Sequence, residues 1–208
     1  MANHLETREA AYRDTIASGR LKLLLLFLVC AAPVVASYVT FYILKPEQRS
    51  NYGDLVEIKP LPDAALTLLD GKPFKFSEFK GKWVLVTFDG GACAEACTKK
   101  LYNMRQLRTA LGKERDRVER AWLITDDALL STVTMREYDG TRMLRTRDAA
   151  LLGAFPAGSA LGSAAGNPAD HVYLIDPLGN LVLRFPKHEE PGRMKKDLDR
   201  LLKYSRIG

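Results

Sequence analysis

Two cysteines four residues apart, Cys93 and Cys97, are the side chains in this sequence best spaced to do chemistry. They stand in GKWVLVTFDGGACAEACTKKL, from Gly81 to Leu101. Trp83 to Phe88 is a short apolar, β-branched and aromatic run, the mark of a strand covered on both faces. Asp89, Gly90 and Gly91 break it, and from Lys99 to Leu111 the spacing is helical. On a helix's first turn, residues i and i+4 face the same way. A rise of ~1.5 Å per residue separates them by ~6 Å, close enough for a disulfide or a shared metal ion. A helix N-terminus also favours the thiolate, the form that binds metals and attacks disulfides. The plainer reading is two small buried hydrophobes, since free cysteine often packs in cores. A Gly-Gly turn directly before the pair argues against that reading.

A strand, turn and helix of this kind need a sheet around them. Ala64 to Leu69, Asp70-Gly71 and Phe74 to Phe76 predict a β-hairpin with DG at its turn. Val118 to Thr125 is the next buried strand. Asp126-Asp127 stands at its C-terminal end, where open α/β sheets place ligand chemistry. A helix is expected over Ala128 to Tyr138, a short strand over Met143 to Arg145, and one or two helical turns over Asp148 to Phe155. Pro156 to Pro168 reads as a small-residue loop leading to Asp170-His171 and the strand VYLID. Pro177 to Asn180 turns the chain into a last strand, Leu181 to Phe185. Met194 to Tyr204 closes it as an amphipathic helix. This order predicts an α/β domain with a central mixed sheet and helices on both faces.

Before the domain, Leu23 to Leu44 runs 22 residues without a charge. As a helix it covers ~33 Å, enough for the ~30 Å hydrocarbon core. The run is too long for a cleaved signal peptide, Pro33 is tolerable in a membrane helix, and Tyr38, Phe41 and Tyr42 suit an interface. The division expected is a tail over 1–22, a transmembrane helix over 23–44, a linker over 45–60 and the domain over 61–208. Arg20 and Lys22 press on the span and tip the positive-inside balance towards a cytoplasmic N-terminus. The domain is then expected in the periplasm, anchored by one pass to a bacterial inner membrane, where a cysteine pair can be oxidised. The formal charge of +6 does not point to nucleic acid. Clusters such as LGKERDRVER mix signs, and no aromatic residues are interleaved with the basic ones.

With these elements in place, the chain resembles a known family. The order of strands and helices is that of the thioredoxin fold. A membrane anchor with C-x-x-x-C in place of C-x-x-C resembles the Sco/SenC copper chaperones of cytochrome c oxidase assembly. GKWVLVTF before the motif, the spacing of Cys93 and Cys97, WLITDD and DHVYLIDPLGNLVLRF carry the resemblance over Leu61 to Tyr204. Thr98 departs from it, because proline is usual there, so the chain reads as a divergent member. The resemblance implies copper as the metal and His171 as a third ligand beside Cys93 and Cys97. It also implies as partners the copper-bearing subunit of a terminal oxidase and other copper chaperones or thiol reductants. Two thiolates and an imidazole suit Cu(I) and tolerate Cu(II). Zinc in a structural site would want a fourth ligand. His4 precedes the anchor, Cys30 lies within it, and His188 in FPKHEE reads as solvated.

Three functions compete: copper delivery, thiol–disulfide exchange on the oxidase cysteines through the Cys93–Cys97 pair, and a scaffold without chemistry. Exchange does not require His171. Reductants of the thioredoxin type also place a cis-proline before the late strand, where this chain has Ala169 and Asp170. Retention of all three candidate ligands argues against a scaffold.

Overall fold

The computed structural model describes residues 2–40, 42, 51–157, 166–205 and 207. The chain divides into two compact units, Met1–Arg49 and Ser50–Gly208. The described residues of the first form α1 (Ala2–Val39), with Pro33 inside it. Its segment Lys22–Val39 is long and apolar enough to cross a membrane, and none of it is buried. The end of the expected span, 43–44, and the first part of the expected linker lie outside the described residues.

The second unit is built on a sheet of eight strands among the described residues. They are β1 (Asp54–Pro60), β2 (Ala65–Leu68), β3 (Pro73–Lys75), β4 (Trp83–Asp89), β5 (Val118–Ile124), β6 (Arg142–Arg145), β7 (Tyr173–Ile175) and β8 (Asn180–Arg184). Their order across the sheet is β1-β8-β7-β4-β5-β6-β2-β3. The pairs β4–β5 and β5–β6 are parallel and the remaining neighbours antiparallel. Among the described residues four α-helices complete the unit: α2 (Glu95–Ala110), α3 (Thr132–Glu137), α4 (Ala149–Gly153) and α5 (Pro191–Tyr204).

Alternation along the strands sorts the core into two faces. Leu85, Leu174 and Leu183 pack with Met104, Leu107, Met194 and Leu198 of α2 and α5. Trp122 and Ile124 extend that face under Leu101 and Tyr138. Val84, Val86, Phe88 and Tyr173 point the other way, against Phe74, Phe76, Leu151 and Phe155. The expected hairpin forms, with Gly71 at φ 83° in its turn. A left-handed turn residue of this kind is inexpensive only for glycine.

Two expectations change. The linker expected over 45–60 does not reach Pro60, because Asp54–Pro60 is an edge strand paired with β8. It buries only Val56, so it has no alternation to read, and the Arg184–Asp54 ion pair at 2.7 Å fixes it. The helix expected from Ala128 begins at Thr132, capped by the Ser131 hydroxyl, which accepts the Val133 N–H. Asp126 to Leu130 is instead an irregular segment, whose purpose appears at the cysteine turn.

Candidate functional site

The cysteine pair sits where β4 gives way to α2. The turn closes with the Cys93 N–H donating to the Gly90 carbonyl at 3.1 Å. Cys93 then adopts φ 44°, the left-handed region. Apart from glycine, few residues adopt that conformation, and such residues cluster at functional sites. Ala94 caps α2 without a side-chain hydrogen bond, and Cys97 is the third helical residue. The cysteines therefore do not share the helix's first turn as the spacing suggested. Cys93 lies before the cap, and the left-handed kink brings it back over Cys97. Their Cα atoms are 5.1 Å apart, and a disulfide joins them. Cys97 is fully buried and Cys93 is 8% exposed, so an incoming thiol or metal donor reaches the pair at Cys93. No side chain caps the helix start at Ala94, and the helix N-terminus favours negative charge on sulfur.

The irregular segment after β5 presses on this turn. Asp126 accepts the N–H of Gly91 at 2.8 Å and that of Ala128 at 3.1 Å. Arg145 donates to the carbonyls of Asp126 and Ala128 at 2.5 and 2.9 Å. A Cβ at Gly90 would lie 2.5 Å from Asp126 Oδ2, and one at Gly91 2.6 Å from the Ala128 carbonyl oxygen. The DGG sequence is thus the space in which Asp126 docks. Asp126 serves the site as a brace for the cysteine turn, and Asp127 pairs with Arg147 on the surface.

His171 stands just before β7, 8% exposed. Its Nδ1 is 2.8 Å from the Phe185 carbonyl oxygen, which assigns the proton to Nδ1 and leaves the Nε2 lone pair as the donor. Burial pushes its pKa below the ordinary histidine value, against the opposing pull of the Phe185 carbonyl, so the ring is neutral at pH 7. A ring nitrogen held by a carbonyl, with the other free, is the usual arrangement of a ligating histidine. Two residues beyond the Val86–Tyr173 pair, the chain carries His171 to the end of the sheet where β4 passes into the cysteine turn. Its ring, however, shares a face with Tyr173, 6.2 Å away, whereas the cysteines belong to the cluster of Trp122 and Ile124. Among the described residues no three His, Cys, Asp or Glu side chains are grouped as a metal would need. The reduced pair fits a soft cation held by two sulfurs. His171 would have to turn from its face of the sheet towards the sulfurs to become the third ligand. His188 is exposed, and Cys30 is free and exposed on α1.

Sequence reasoning missed a buried polar set beside the pair. Lys100 pairs with Asp89 at 3.1 Å, and Asn103 donates to Glu189 at 2.7 Å. Burial pushes the Glu189 carboxyl up, partly offset by the Asn103 hydrogen bond. The available signal was the spacing of Cys97, Lys100 and Asn103 by threes, which puts them on one ridge of a helix.

No curated protein matches the chain in sequence. Solved structures do match in fold. Apo Sco1 from Thermus thermophilus is 21% identical at a TM-score of 0.56, over 74% of this chain and 99% of that one. Yeast Sco1 with copper bound is 17% identical at 0.53, over 71% and 89%. A putative protein disulfide isomerase from Bacteroides thetaiotaomicron is 19% identical at 0.50, over 74% and 94%. At these identities the likeness establishes the thioredoxin-like fold shared with Sco proteins. A family model described as "Transmembrane-like, thioredoxin-like, C-terminal domain" matches residues 83–205, more than half of the sequence, and the chain belongs to that family.

Proposed function

We propose that the protein is a divergent Sco-type, membrane-anchored assembly factor. In this reading the reduced Cys93–Cys97 pair carries copper, His171 completes the site, and the cargo passes to the copper-bearing subunit of a terminal oxidase. The observation that supports it best is the pairing of a cysteine couple at a helix start with a neutral histidine at the same end of the sheet. The histidine's second nitrogen is already anchored on a carbonyl. The copper-bound Sco structures that share the fold support it as well. Copper is cargo here: thiolates and imidazole supply soft to borderline donors, and three ligands leave a position open for transfer. The full-length chain, reduced in detergent, is expected to bind one Cu(I), with sulfur and nitrogen donors in X-ray absorption. A sulfur-only signature would remove His171 from the site, and preference for zinc would remove copper.

The formed disulfide and the separation of His171 from the sulfur cluster favour thiol–disulfide exchange as a second reading. Reduced Cys93 would attack a target disulfide and form a mixed disulfide. Cys97 would then displace the target as a dithiol and leave the pair oxidised. A separate thiol reductant would have to restore it.

We place the domain on the periplasmic side of a bacterial inner membrane, held by α1. A reporter fused after Gly208 should be active in the periplasm and silent in the cytoplasm. The reverse pattern would invert the anchor and remove the domain from the oxidising compartment.

A further inference from the structure

The ridge Cys97, Lys100, Asn103 runs along α2 from the sulfur pair to the two segments that hold His171. The Lys100 side chain is 5% exposed. Its ammonium donates to Asp89 at the end of β4 and to the carbonyl of Ala169, two residues before the histidine. Asn103 donates to Glu189, four residues beyond Phe185, whose carbonyl orients the imidazole. The remaining oxygen of that buried carboxylate, Oε1, has no hydrogen-bond partner among the described residues. Removing an ammonium and a carboxylate from water is costly unless their geometry compensates. Apolar side chains would close this seam at lower cost, as Leu101, Met104 and Leu107 do elsewhere on the helix.

We propose that Lys100 and Asn103 are positioning residues that fix the His171 segment against the cysteine helix, so that the imidazole can reach copper on the sulfur pair. Lys100 grips the chain entering His171, and Asn103 grips the chain leaving Phe185. Both grips come from the helix that carries Cys97, so the backbone on either side of His171 is held to that helix while the imidazole itself turns towards the sulfurs. The inference rests on the copper reading above and extends it to residues outside the ligand set.

The test uses the full-length chain in detergent with Cu(I), comparing Lys100→Met, Asn103→Leu and Lys100→Arg. The two apolar variants are expected to keep both sulfur donors in X-ray absorption and lose the nitrogen donor. Affinity should fall ~10-fold, the scale of losing an outer-shell partner. Lys100→Arg, which retains the donors, should keep the nitrogen. An unchanged nitrogen signature and affinity in Lys100→Met and Asn103→Leu would overturn the proposal. If the wild type shows sulfur alone, the ligand assignment of His171 fails, and a copper-free measurement decides the positioning role. Hydrogen exchange at Asp170 and His171 in the oxidised protein should then accelerate ~10-fold in Lys100→Met while the α2 amides stay protected, and equal rates at the two positions would end it. Should Lys100→Met fail to fold, Asn103→Leu carries the copper readout, and its exchange is read at Glu189, the residue Asn103 holds.

Discussion

Cys97→Ser should abolish disulfide formation and reduce Cu(I) affinity by at least ~100-fold, beyond the loss of any outer-shell partner. Cys93→Ser should do the same. A hydroxyl is a harder donor than a thiolate and stays protonated at neutral pH, so neither serine can replace a sulfur towards Cu(I). The two variants should differ in residual reactivity. Cys93 in Cys97→Ser remains at the surface of its cluster and should be alkylated quickly. Cys97 in Cys93→Ser is fully buried and should react slowly in the folded protein. His171→Ala separates the two functional readings. It should lower copper affinity by at least ~10-fold and leave the disulfide intact, because the cysteines meet through the turn and the helix start alone. Competition with a chromophoric Cu(I) chelator, and alkylation with mass readout, measure both quantities. Wild-type affinity in His171→Ala would leave thiol exchange as the function.

How far the sequence disclosed this site depends on which interactions are local. The strands around the pair were legible because Trp83 to Phe88 and Val118 to Ile124 bury nearly every residue. The cysteine pairing was legible from spacing, but its geometry was not. Placing both cysteines on one helical turn ignored the left-handed Cys93, which the turn closing on Gly90 imposes. The strand β1 was hidden because only Val56 of its residues turns inward. Its partner β8 lies more than a hundred residues away in sequence. Lys100 and Asn103 read as an ordinary polar helix face, and their burial depends on Ala169 and Glu189 arriving from the other end of the domain. His171 could be named from its segment, but the face on which it stands is set by where β7 begins. The alternation there gives Val172 to the α2 side and Tyr173 to the other.

The glycines before the motif give the other large effect. Gly91→Ala should destabilise the domain by about 1–3 kcal/mol, the range for forcing a methyl into a filled site. The added Cβ would meet the Ala128 carbonyl oxygen at 2.6 Å. That oxygen cannot easily retreat. It accepts from Arg145, and the Ala128 N–H is held by the same Asp126 carboxylate oxygen that holds the Gly91 N–H. Gly90→Ala meets Asp126 Oδ2, the end of a side chain. The carboxylate can rotate away at the expense of hydrogen bonds worth about 1 kcal/mol each, so the loss should be smaller. Gly192→Ala, within α5 and facing open space, is the control and should be neutral or stabilising by up to ~1 kcal/mol. Chemical denaturation of the oxidised protein ranks the three. The brace also predicts a linked change in chemistry, since displacing Ala128 releases Asp126 from the cysteine turn. Reduction of the disulfide by a small thiol should be faster in Gly91→Ala than in the wild type, and unchanged in Gly192→Ala. Equal stabilities and equal reduction rates for Gly91→Ala and the control would show that the segment after β5 does not hold the cysteine turn.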